Sequence, residues 1–528
     1  MNSLKIILGR RGNFVFKPGV LVLLAVLSPI LLYFVFPPRN LYFLAWVAFA
    51  PLLLLIIKMQ FRTASLVTYV NGMVFYYYFY LWLNRFHPWS IYVIAPLFGF
   101  FYFTIPLLIT RYLYLKNKVI SIFIAPAVWV VAEFIKSSGN LALPSGDLAM
   151  SQINQFTLIQ FADITGQEGV SYIIFLMNMI ILYFAETFLF DKQKWTRLQT
   201  KLVFSVIVLL FLVLFYGIIR VQTAKWGKSI SAGVVQTAHY PNEKWSEKYP
   251  DFLIEYEQAV EQLAPTKPKF IVFPETALNM FYNFEGEENS DRGQFAVSKI
   301  ISLARNHQIP LVIGGLEFSI KYGEVEKYNS IFFFDKNGIM QSRYRKRKLV
   351  AFGETGAFNQ LMPWLQEKIN RDSRTIMFHP GESSNLFSLN VDNETISFGN
   401  LICFEASDEL LAREYARNGA SFLLVESSDL WSNSIDGMVQ NAAFSVYRAI
   451  ENRVPVARSS NGGVSFYVDP LGRAHNALPL GQAGIIPVQM QFLQNNFSLF
   501  TYTGNWFVYV CFAISLTGSF ITIKNKNQ

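Results

Sequence analysis

Charged residues are scarce in this sequence, at 15% of 528 residues, whereas soluble globular chains carry about a quarter. Hydrophobic residues make up 52%, and phenylalanine alone occurs 50 times. So low a charge content excludes an ordinary water-exposed globular protein and points to a lipid bilayer. The length favours about two or three folding units.

Cysteine and histidine are also rare. The two cysteines are Cys403 and Cys511, and Cys511 stands inside the last apolar stretch, so a disulfide between them is not expected. The five histidines are scattered, which argues against a metal site of His and Cys ligands. We therefore expect no metal and no cofactor. Cys403 remains either a packed small hydrophobe or a reactive thiol.

The sequence contains many long apolar stretches. A helix needs roughly 20 apolar residues to cross the hydrocarbon core. Eight stretches meet this length, and no comparable stretch occurs between 223 and 500. The pattern predicts three parts, namely a seven-span domain over 1–222, a non-membrane domain over 223–500, and an eighth span with a tail over 501–528. The predicted spans are 18–36, 40–57, 65–83, 91–114, 119–136, 168–190, 202–220 and 504–523.

The placement of basic residues predicts the orientation of these spans, because Lys and Arg in short connections stay in the cytoplasm. Basic residues cluster at both termini and in the connections 58–62, 111–118 and 192–201, whereas the other short connections hold only Arg39, Arg85 and Lys136. Both termini are thus predicted to be cytoplasmic and the 223–500 domain to face outward. This placement accounts for much of the net charge of +9, so no nucleic-acid partner is expected. Glu133, near the outer end of the fifth span, is a functional candidate by its depth.

The 223–500 segment alternates short β-rich runs with helical patterns, which predicts an α/β layered fold. Composition alone does not identify which one. The strand candidates are 230–236, 269–273, 310–318, 329–335, 397–403, 421–425, 454–458 and 464–468, and the helix candidates are 246–263, 295–307, 408–418 and 436–452.

Three short motifs in this segment carry chemistry. Glu275 follows a strand candidate in Phe-Pro-Glu-Thr-Ala, Lys346 stands in the basic run Tyr-Arg-Lys-Arg-Lys, and Cys403 ends the apolar run of Leu-Ile-Cys-Phe-Glu. Taken singly, each has an ordinary alternative, namely a solvated loop carboxylate, a basic surface run and a buried core cysteine. Together they supply the parts of an acyl-transfer site: a thiolate nucleophile, a carboxylate that takes its proton, and an ammonium that stabilises the oxyanion.

With these motifs in this order, the sequence resembles the carbon–nitrogen hydrolase (nitrilase) superfamily, whose Glu–Lys–Cys triad lies on an αββα sandwich. With apolar spans before and after that domain, it resembles the apolipoprotein N-acyltransferase family over nearly the whole chain. The N-terminal Phe-Pro-Pro-Arg-Asn-Leu at 36–41, Trp129 to Lys136, and the blocks 427–431 and 447–464 carry the likeness.

The resemblance implies a role for each matching residue. Cys403 would be the nucleophile, Glu275 the general base, and Lys346 the oxyanion partner, with Phe404 donating its backbone N–H. Glu354 would orient Lys346 or the proton path, and Glu405 and Trp245 would support activity or substrate placement. Leu361 and Trp364, in the apolar-patterned segment 355–378, and Trp431 are candidate substrate or lid residues, and the pattern of 355–378 equally fits an ordinary packed loop.

The same resemblance implies partners and place. The acyl donor would be a membrane phospholipid, the acceptor a diacylated apolipoprotein, and the enzyme a monomer in the bacterial inner membrane with a periplasmic catalytic domain. The sequence departs from the family pattern at Ala351, Ser428, Gln440-Asn441 and Pro144-Ser145, which leaves donor and acceptor preference open. Two rivals remain at this point: a membrane-anchored amidase acting on small amides, which shares the triad, and a non-catalytic lipoprotein-binding or transport protein.

Overall fold

The computed structural model describes residues 18–85, 90–139, 142–190, 195–240, 243, 249–284, 290–350, 353–355 and 377–524. The chain divides into two compact units. One combines the described parts of Met1–Gln222 and Asn505–Gln528, and the other is Thr223–Gly504.

The first unit is helical. Its helices follow the predicted apolar stretches. Within the residues that the structure describes, four helical segments are long and apolar enough to cross a membrane: Ser90–Lys116, Lys118–Lys136, Gln167–Phe188 and Arg197–Gln222. Its α-helices are Pro18–Val35, Ala50–Ile56, Phe61–Phe79, Ser90–Phe98, Ile105–Lys116, Lys118–Lys136, Phe156–Ile159, Ala162–Thr165, Gln167–Ala185, Arg197–Gln222 and Trp506–Lys524, with π-helical turns at Gly99–Thr104 and Glu186–Phe190.

The predicted span 40–57 is not one continuous helix. It consists of a 3₁₀ helix, Tyr42–Trp46, and a short α-helix, Ala50–Ile56. The buried amide of Asn178 occupies the break: its Oδ1 accepts from Phe49 N at 2.8 Å, and its Nδ2 donates to Ala45 O at 2.9 Å. A side chain here replaces hydrogen bonds that an unbroken helix would make with its own backbone.

The second unit holds two sheets. Its strands are β1 Trp226–Gln236, β2 Phe270–Val272, β3 Leu278–Tyr282, β4 Leu311–Lys321, β5 Glu324–Phe334, β6 Met340–Arg345, β7 Phe387–Val391, β8 Glu394–Ile402, β9 Phe422–Ser428, β10 Val456–Asn461, β11 Phe466–Val468, β12 Ala474–His475 and β13 Gly484–Leu493. The first sheet has the order β13-β1-β2-β4-β5-β6 with β3 beside β4, and the second has the order β12-β11-β10-β9-β8-β7.

The sheets pack face to face through aromatic rings. Phe270 of β2 stacks on Phe398 of β8 and Phe422 of β9, with centroids 6.0 and 5.4 Å apart. Helices Tyr249–Leu263 and Asp291–His307 share a buried core with the first sheet, and Glu409–Arg417 and Ile435–Asn452 pack on the second. The layers follow the order helix, sheet, sheet, helix, so the predicted α/β layering is confirmed.

The directions of the strands determine at which end of the sandwich the residues that follow them lie. In the first sheet β1, β2 and β4 are parallel, and β6 returns to their direction through the antiparallel β5. In the second sheet β8, β9 and β10 are parallel. A bridge between Thr237 and Asn461 joins the carboxyl ends of β1 and β10 in parallel. The carboxyl ends of both parallel sets therefore lie at one end of the sandwich, which is where such folds bind ligands.

Candidate active site

Glu275, Lys346 and Cys403 each come within three residues of the end of a strand at this end of the sandwich. Glu275 comes after β2, Lys346 directly after β6, and Cys403 directly after β8. All three side chains are at least nine-tenths buried. Lys346 Nζ lies 3.7 Å from Glu275 Oε1, and the charges of both act on the Cys403 thiol. The three predicted residues are thus brought together.

Cys403 stands in an unusual backbone conformation. Its φ is 52°, in the left-handed region that residues other than glycine seldom adopt. The conformation ends β8 and turns the chain at once into the 3₁₀ helix Cys403–Ser407. Strained backbone of this kind concentrates at functional sites, where surrounding structure holds it in place. Here it places the thiol at the strand end.

The thiol is poised in its neutral form. Burial, followed by the nearby charge of Glu275, raises the pKa of Cys403 to about 12, while Lys346 acts in the opposite direction. A thiolate is the reactive species. The resting site therefore needs a base to remove the proton as the substrate arrives, and a carboxylate within the same cluster fits that role.

Glu275 is held by neutral donors. Asn329 Nδ2 donates to its Oε1 at 2.7 Å, and the backbone N–H of Ser428 donates to its Oε2 at 2.7 Å. Its own backbone rests against Gly314 of β4, where a Cβ would lie 2.6 Å from Glu275 Cα. Only glycine allows this close approach, which fixes the height of the carboxylate above the sheet.

Lys346 has a closer partner in Glu354. The distance from its Nζ to Glu354 Oε1 is 2.8 Å, and Glu354 Oε2 accepts from Val350 N at 2.9 Å. Burial acts to lower the pKa of Lys346, but the carboxylates of Glu354 and Glu275 outweigh it and raise that pKa above its ordinary value. Lys346 is therefore a permanent cation in the site.

Glu405 is wholly buried and ties the Cys403 turn to the Lys346 segment. Its Oε1 accepts from Tyr344 Oη at 2.8 Å, Arg347 N at 2.7 Å and Lys348 N at 3.0 Å, and its Oε2 accepts from Ile402 N at 2.8 Å. Three of these hydrogen bonds come from the Lys346 segment and one from Ile402, the last residue of β8. The structure places the residue as a brace between two strand ends.

The remaining predicted site residues divide into two groups. Phe404 follows the nucleophile, and its ring lies 5.8 Å from Lys348 Nζ. Trp431 is in the 3₁₀ helix Leu430–Ser432, which follows Asp429. Trp245, Leu361, Trp364 and most of the 355–378 segment lie outside the described residues, as does Ala351. Their predicted roles stay predictions.

Sequence reasoning did not select three buried polar residues near the triad. Asn329 on β5 contacts both Glu275 and Glu354, Arg458 on β10 pairs with Asp429, and Glu426 on β9 lies close enough for Glu275 to influence it. Burial raises the pKa of Glu426 well above its ordinary range and favours its neutral form. The sequence feature that could have indicated these three residues is a polar side chain within an otherwise apolar strand. Among the described residues, no group of three or more His, Cys, Asp or Glu forms a metal site.

Comparison with known proteins gives two matches along the chain. Residues 28–180 match the model of the apolipoprotein N-acyltransferase N-terminal domain, and residues 231–494 match the carbon–nitrogen hydrolase model.

Two curated relatives and one solved structure illustrate the similarity. The chain is 28% identical over 519 residues to apolipoprotein N-acyltransferase from Geobacter metallireducens, covering 96% of each chain. It is 24% identical over 547 residues to the protein of that name from Chlorobaculum tepidum, covering 96% of this chain and 97% of the other. Nit3 from Saccharomyces cerevisiae, of branch 10 of the nitrilase superfamily, aligns at 21% identity and a TM-score of 0.38, over 50% of this chain and 91% of that one.

Proposed function

Because the chain belongs to the carbon–nitrogen hydrolase family, whose model matches half of its length, we propose that it is an N-acyltransferase working at a membrane. It moves an acyl chain from a phospholipid, through a thioester on Cys403, to the N-terminal amine of a diacylglyceryl-modified apolipoprotein. Its alignment with curated apolipoprotein N-acyltransferases over almost their full length supports this assignment. The enzyme acts as a monomer.

One observation carries the chemistry: a buried thiol at a left-handed strand end, under the charges of a carboxylate and a lysine. Cys403 has φ 52°, and Glu275 and Lys346 act on it from the facing sheet. This arrangement supplies a nucleophile, a base and an oxyanion partner.

The first half-reaction forms the thioester. Glu275 takes the proton from Cys403 Sγ, and the thiolate attacks the carbonyl carbon of a phospholipid ester. The ammonium of Lys346 and the backbone N–H of Phe404 stabilise the resulting oxyanion. When the carbonyl reforms, the C–O bond to the glycerol oxygen breaks, and that oxygen takes the proton from Glu275 to leave as a lysophospholipid.

The second half-reaction reverses the proton flow. The free amine of the lipoprotein's N-terminal cysteine attacks the thioester carbonyl, and Glu275 takes a proton from the nitrogen. The C–S bond breaks, the amide forms, and the Cys403 thiolate recovers the proton from Glu275. The two steps divide an exchange between bulky lipids into two displacements at one sulfur.

The apolar unit supports a lipid substrate. We propose that the chain crosses the membrane eight times, with seven spans in 1–222, an eighth in 501–528, and the catalytic domain 223–500 on the outer side of the bacterial inner membrane. Four helices of the described part of the chain meet the length and composition of a span, and three further apolar helical segments there are shorter. The distribution of Lys and Arg between the connections gives the orientation.

Orientation is testable with single cysteines in a chain that carries Cys403→Ala and Cys511→Ala. Lys336, in the catalytic unit, and Arg62, in the first turn of the helix Phe61–Phe79, are both exposed. A membrane-impermeant maleimide should label Lys336→Cys in intact spheroplasts and Arg62→Cys only after permeabilisation. The opposite pattern would overturn the orientation.

The activity is tested by trapping the intermediate. Purified full-length protein is incubated with phospholipid bearing a labelled acyl chain, and the Cys403 peptide is analysed by mass spectrometry. We expect an acyl adduct that Cys403→Ala abolishes, that Cys511→Ala leaves in place, and that a diacylated lipopeptide removes as it becomes triacylated.

The rival activity is hydrolysis of small amides by the same triad. A wild-type protein that hydrolyses small amides and never takes the acyl label would establish the amidase and overturn the transferase. The predicted supporting residue Trp245 and the predicted substrate or lid residues Leu361 and Trp364 enter this proposal as contacts for the lipid chains. Substitution of each by Ala should slow adduct formation from long-chain phospholipid more than alkylation of Cys403 by a small reagent.

A further inference from the structure

The sulfur of Cys403 has an amide neighbour besides the triad. Asn441, on the helix Ile435–Asn452, directs its Nδ2 at Cys403 Sγ from 3.7 Å. This distance suits an N–H donor on sulfur, whose radius is larger than that of oxygen. Asn441 comes from the outer helix layer, whereas Glu275 and Lys346 come from the facing sheet. The thiol is therefore approached from two sides.

A buried carboxylate orients the Asn441 amide. Asp429 Oδ1 accepts from Asn441 Nδ2 at 2.8 Å and from Ser427 Oγ at 2.7 Å. An Asn amide has two N–H groups, and Asp429 takes one of them. The other lies between Ser427 Oγ, 3.2 Å from Nδ2, and the cysteine sulfur. The amide cannot rotate without breaking the bond to Asp429.

Asp429 is in turn fixed by hydrogen bonds, and a buried guanidinium partly offsets its charge. Its Oδ2 accepts from Arg458 Nη2 at 2.8 Å and from Ser460 Oγ at 2.7 Å, so both carboxylate oxygens have two donors. Asp429 is 2% exposed and Arg458 wholly buried. A bare carboxylate here would oppose a thiolate, and the guanidinium offsets that charge. What reaches the sulfur from this side is the positive end of an amide dipole.

We propose that Asn441 is a catalytic residue that donates a hydrogen bond to the Cys403 thiolate, with Asp429 as its positioning residue. This inference rests on the proposed function. The thiolate exists when Glu275 removes the thiol proton and again when sulfur leaves the thioester. A hydrogen bond to an anion is shorter and stronger than one to a neutral thiol, so the donor stabilises the thiolate selectively.

Four charged groups set the ionisation of this sulfur. Glu275 from the β2 end and Asp429 from the β9 end oppose the thiolate, Lys346 from the β6 end favours it, and Arg458 acts through Asp429. A hydrogen bond from the Ser427 hydroxyl also lowers the pKa of Cys403, and Asn441 adds a second neutral donor. Its removal should make the thiolate harder to form while the charges stay the same.

The test is the alkylation rate of Cys403 by iodoacetamide against pH, measured on the full chain in detergent by mass spectrometry of the Cys403 peptide. Below the pKa of a thiol, its alkylation rate rises about tenfold with each pH unit, because the thiolate alone reacts. We expect Asn441→Ala and Asn441→Leu to move this profile upward by about one pH unit, so that alkylation is about tenfold slower at a given pH below the thiol pKa. Asn441→His, which offers a ring N–H, should recover part of the rate.

Asn418→Ala is the matched control, because Asn418 is an exposed residue after the helix Glu409–Arg417. The alanine variant keeps a good helix former at position 441, and the leucine variant keeps the side-chain volume, so at least one folded variant is expected. A folded variant of either kind with the wild-type profile overturns the proposal.

Failure of this inference is separable from failure of the proposed function. Iodoacetamide needs no lipid, so the profile tests Asn441 even if the wild type takes no acyl label. If the wild type is acylated while the Asn441 variants keep the wild-type profile, Asn441 is not the donor and the transferase assignment stands. The acylation rate of Asn441→Ala should fall by the same factor as its alkylation rate.

Discussion

Lys346 Nζ lies closer to Glu354 Oε1, at 2.8 Å, than to Glu275 Oε1, at 3.7 Å. We infer that the two carboxylates, Glu354 and Glu275, have different roles. Glu354 carries the close ion pair, while Glu275 keeps both oxygens on the neutral donors Asn329 and Ser428. A carboxylate bound tightly to lysine would be a weak base. The division leaves Glu275 able to accept a proton.

Glu275→Gln and Glu354→Gln should thus fail in different ways. Loss of the base in Glu275→Gln should lower the rate of thioester formation by about 10²–10⁴. In Glu354→Gln, of these two carboxylates only Glu275 remains to pair with Lys346. A closer ion pair with Lys346 would make Glu275 a weaker base, so we expect a smaller loss of rate, about tenfold. The measurement is single-turnover acyl-adduct formation, with exposed Glu324→Gln as control. Equal rates for Glu354→Gln and wild type would contradict this division.

Glu405→Gln should destabilise the catalytic unit. The amide keeps one acceptor oxygen and turns an NH₂ group toward donors that Glu405 now satisfies, among them Ile402 N. A buried donor left without an acceptor costs about 1–3 kcal/mol. We expect a thermal midpoint lower by several degrees, measured in detergent, and a larger drop for Glu405→Ala. Glu324→Gln again serves as the exposed control, and an unchanged midpoint for Glu405→Ala would show that the brace is dispensable.

The neutral thiol of Cys403 links stability to alkaline pH. Its pKa is raised from about 9 to about 12 on folding. A group with a raised folded pKa contributes stability that is complete below the unfolded pKa and is lost as pH rises through the folded one. Wild type should therefore lose more stability than Cys403→Ala between pH 9 and pH 12. Thermal midpoints at pH 8 and pH 10.5 measure the difference, and parallel losses in both proteins would count against a buried neutral thiol.

Lys136 and Asp147 form a buried ion pair in the helical unit, with 2.7 Å between Nζ and Oδ1 and both side chains nearly inaccessible. Removing one partner from such a pair leaves a buried charge and costs about 3–5 kcal/mol. Lys136→Met and Asp147→Asn should each destabilise strongly, and the double variant should be more stable than either. Thermal unfolding in detergent tests this. Additive losses in the double variant would mean that the two charges act independently.

The sequence predicted three short motifs at strand ends, and the structure brings their residues together, while their catalytic roles remain predictions. Glu275, Lys346 and Cys403 each follow a short strand within a recognisable motif, and parallel strands bring their carboxyl ends together. The first sheet was harder to predict. The strand β6, with the letters MQSRYR, has almost no apolar pattern, and β13 contains Pro487, which is tolerated because β13 is an edge strand.

Contacts between residues far apart in the sequence could not be predicted from the sequence pattern. Asn329 contacts Glu275 from 54 positions away, and Asn178 breaks the predicted span 40–57 from 129 positions away. Neither residue stands in a motif, and each acts through a partner that only the tertiary structure brings near. In the helical segments, apolar length predicted the positions of helices but not where a distant amide would interrupt one.

The bridge between Thr237 and Asn461 restrains the two sheets against sliding. The catalytic groups are divided between the sheets, with the base and the lysine on one and the sulfur on the other. Any sliding of one sheet over the other would change the separation between carboxylate and sulfur directly. Asn461 Oδ1 accepts from Thr237 Oγ1 and His239 N, both at 2.8 Å, and Ser459 Oγ donates to Val235 O at 2.6 Å. These hydrogen bonds join the two sheets at the end that holds the catalytic groups. The alignment of base and sulfur therefore depends on the contacts between the sheets.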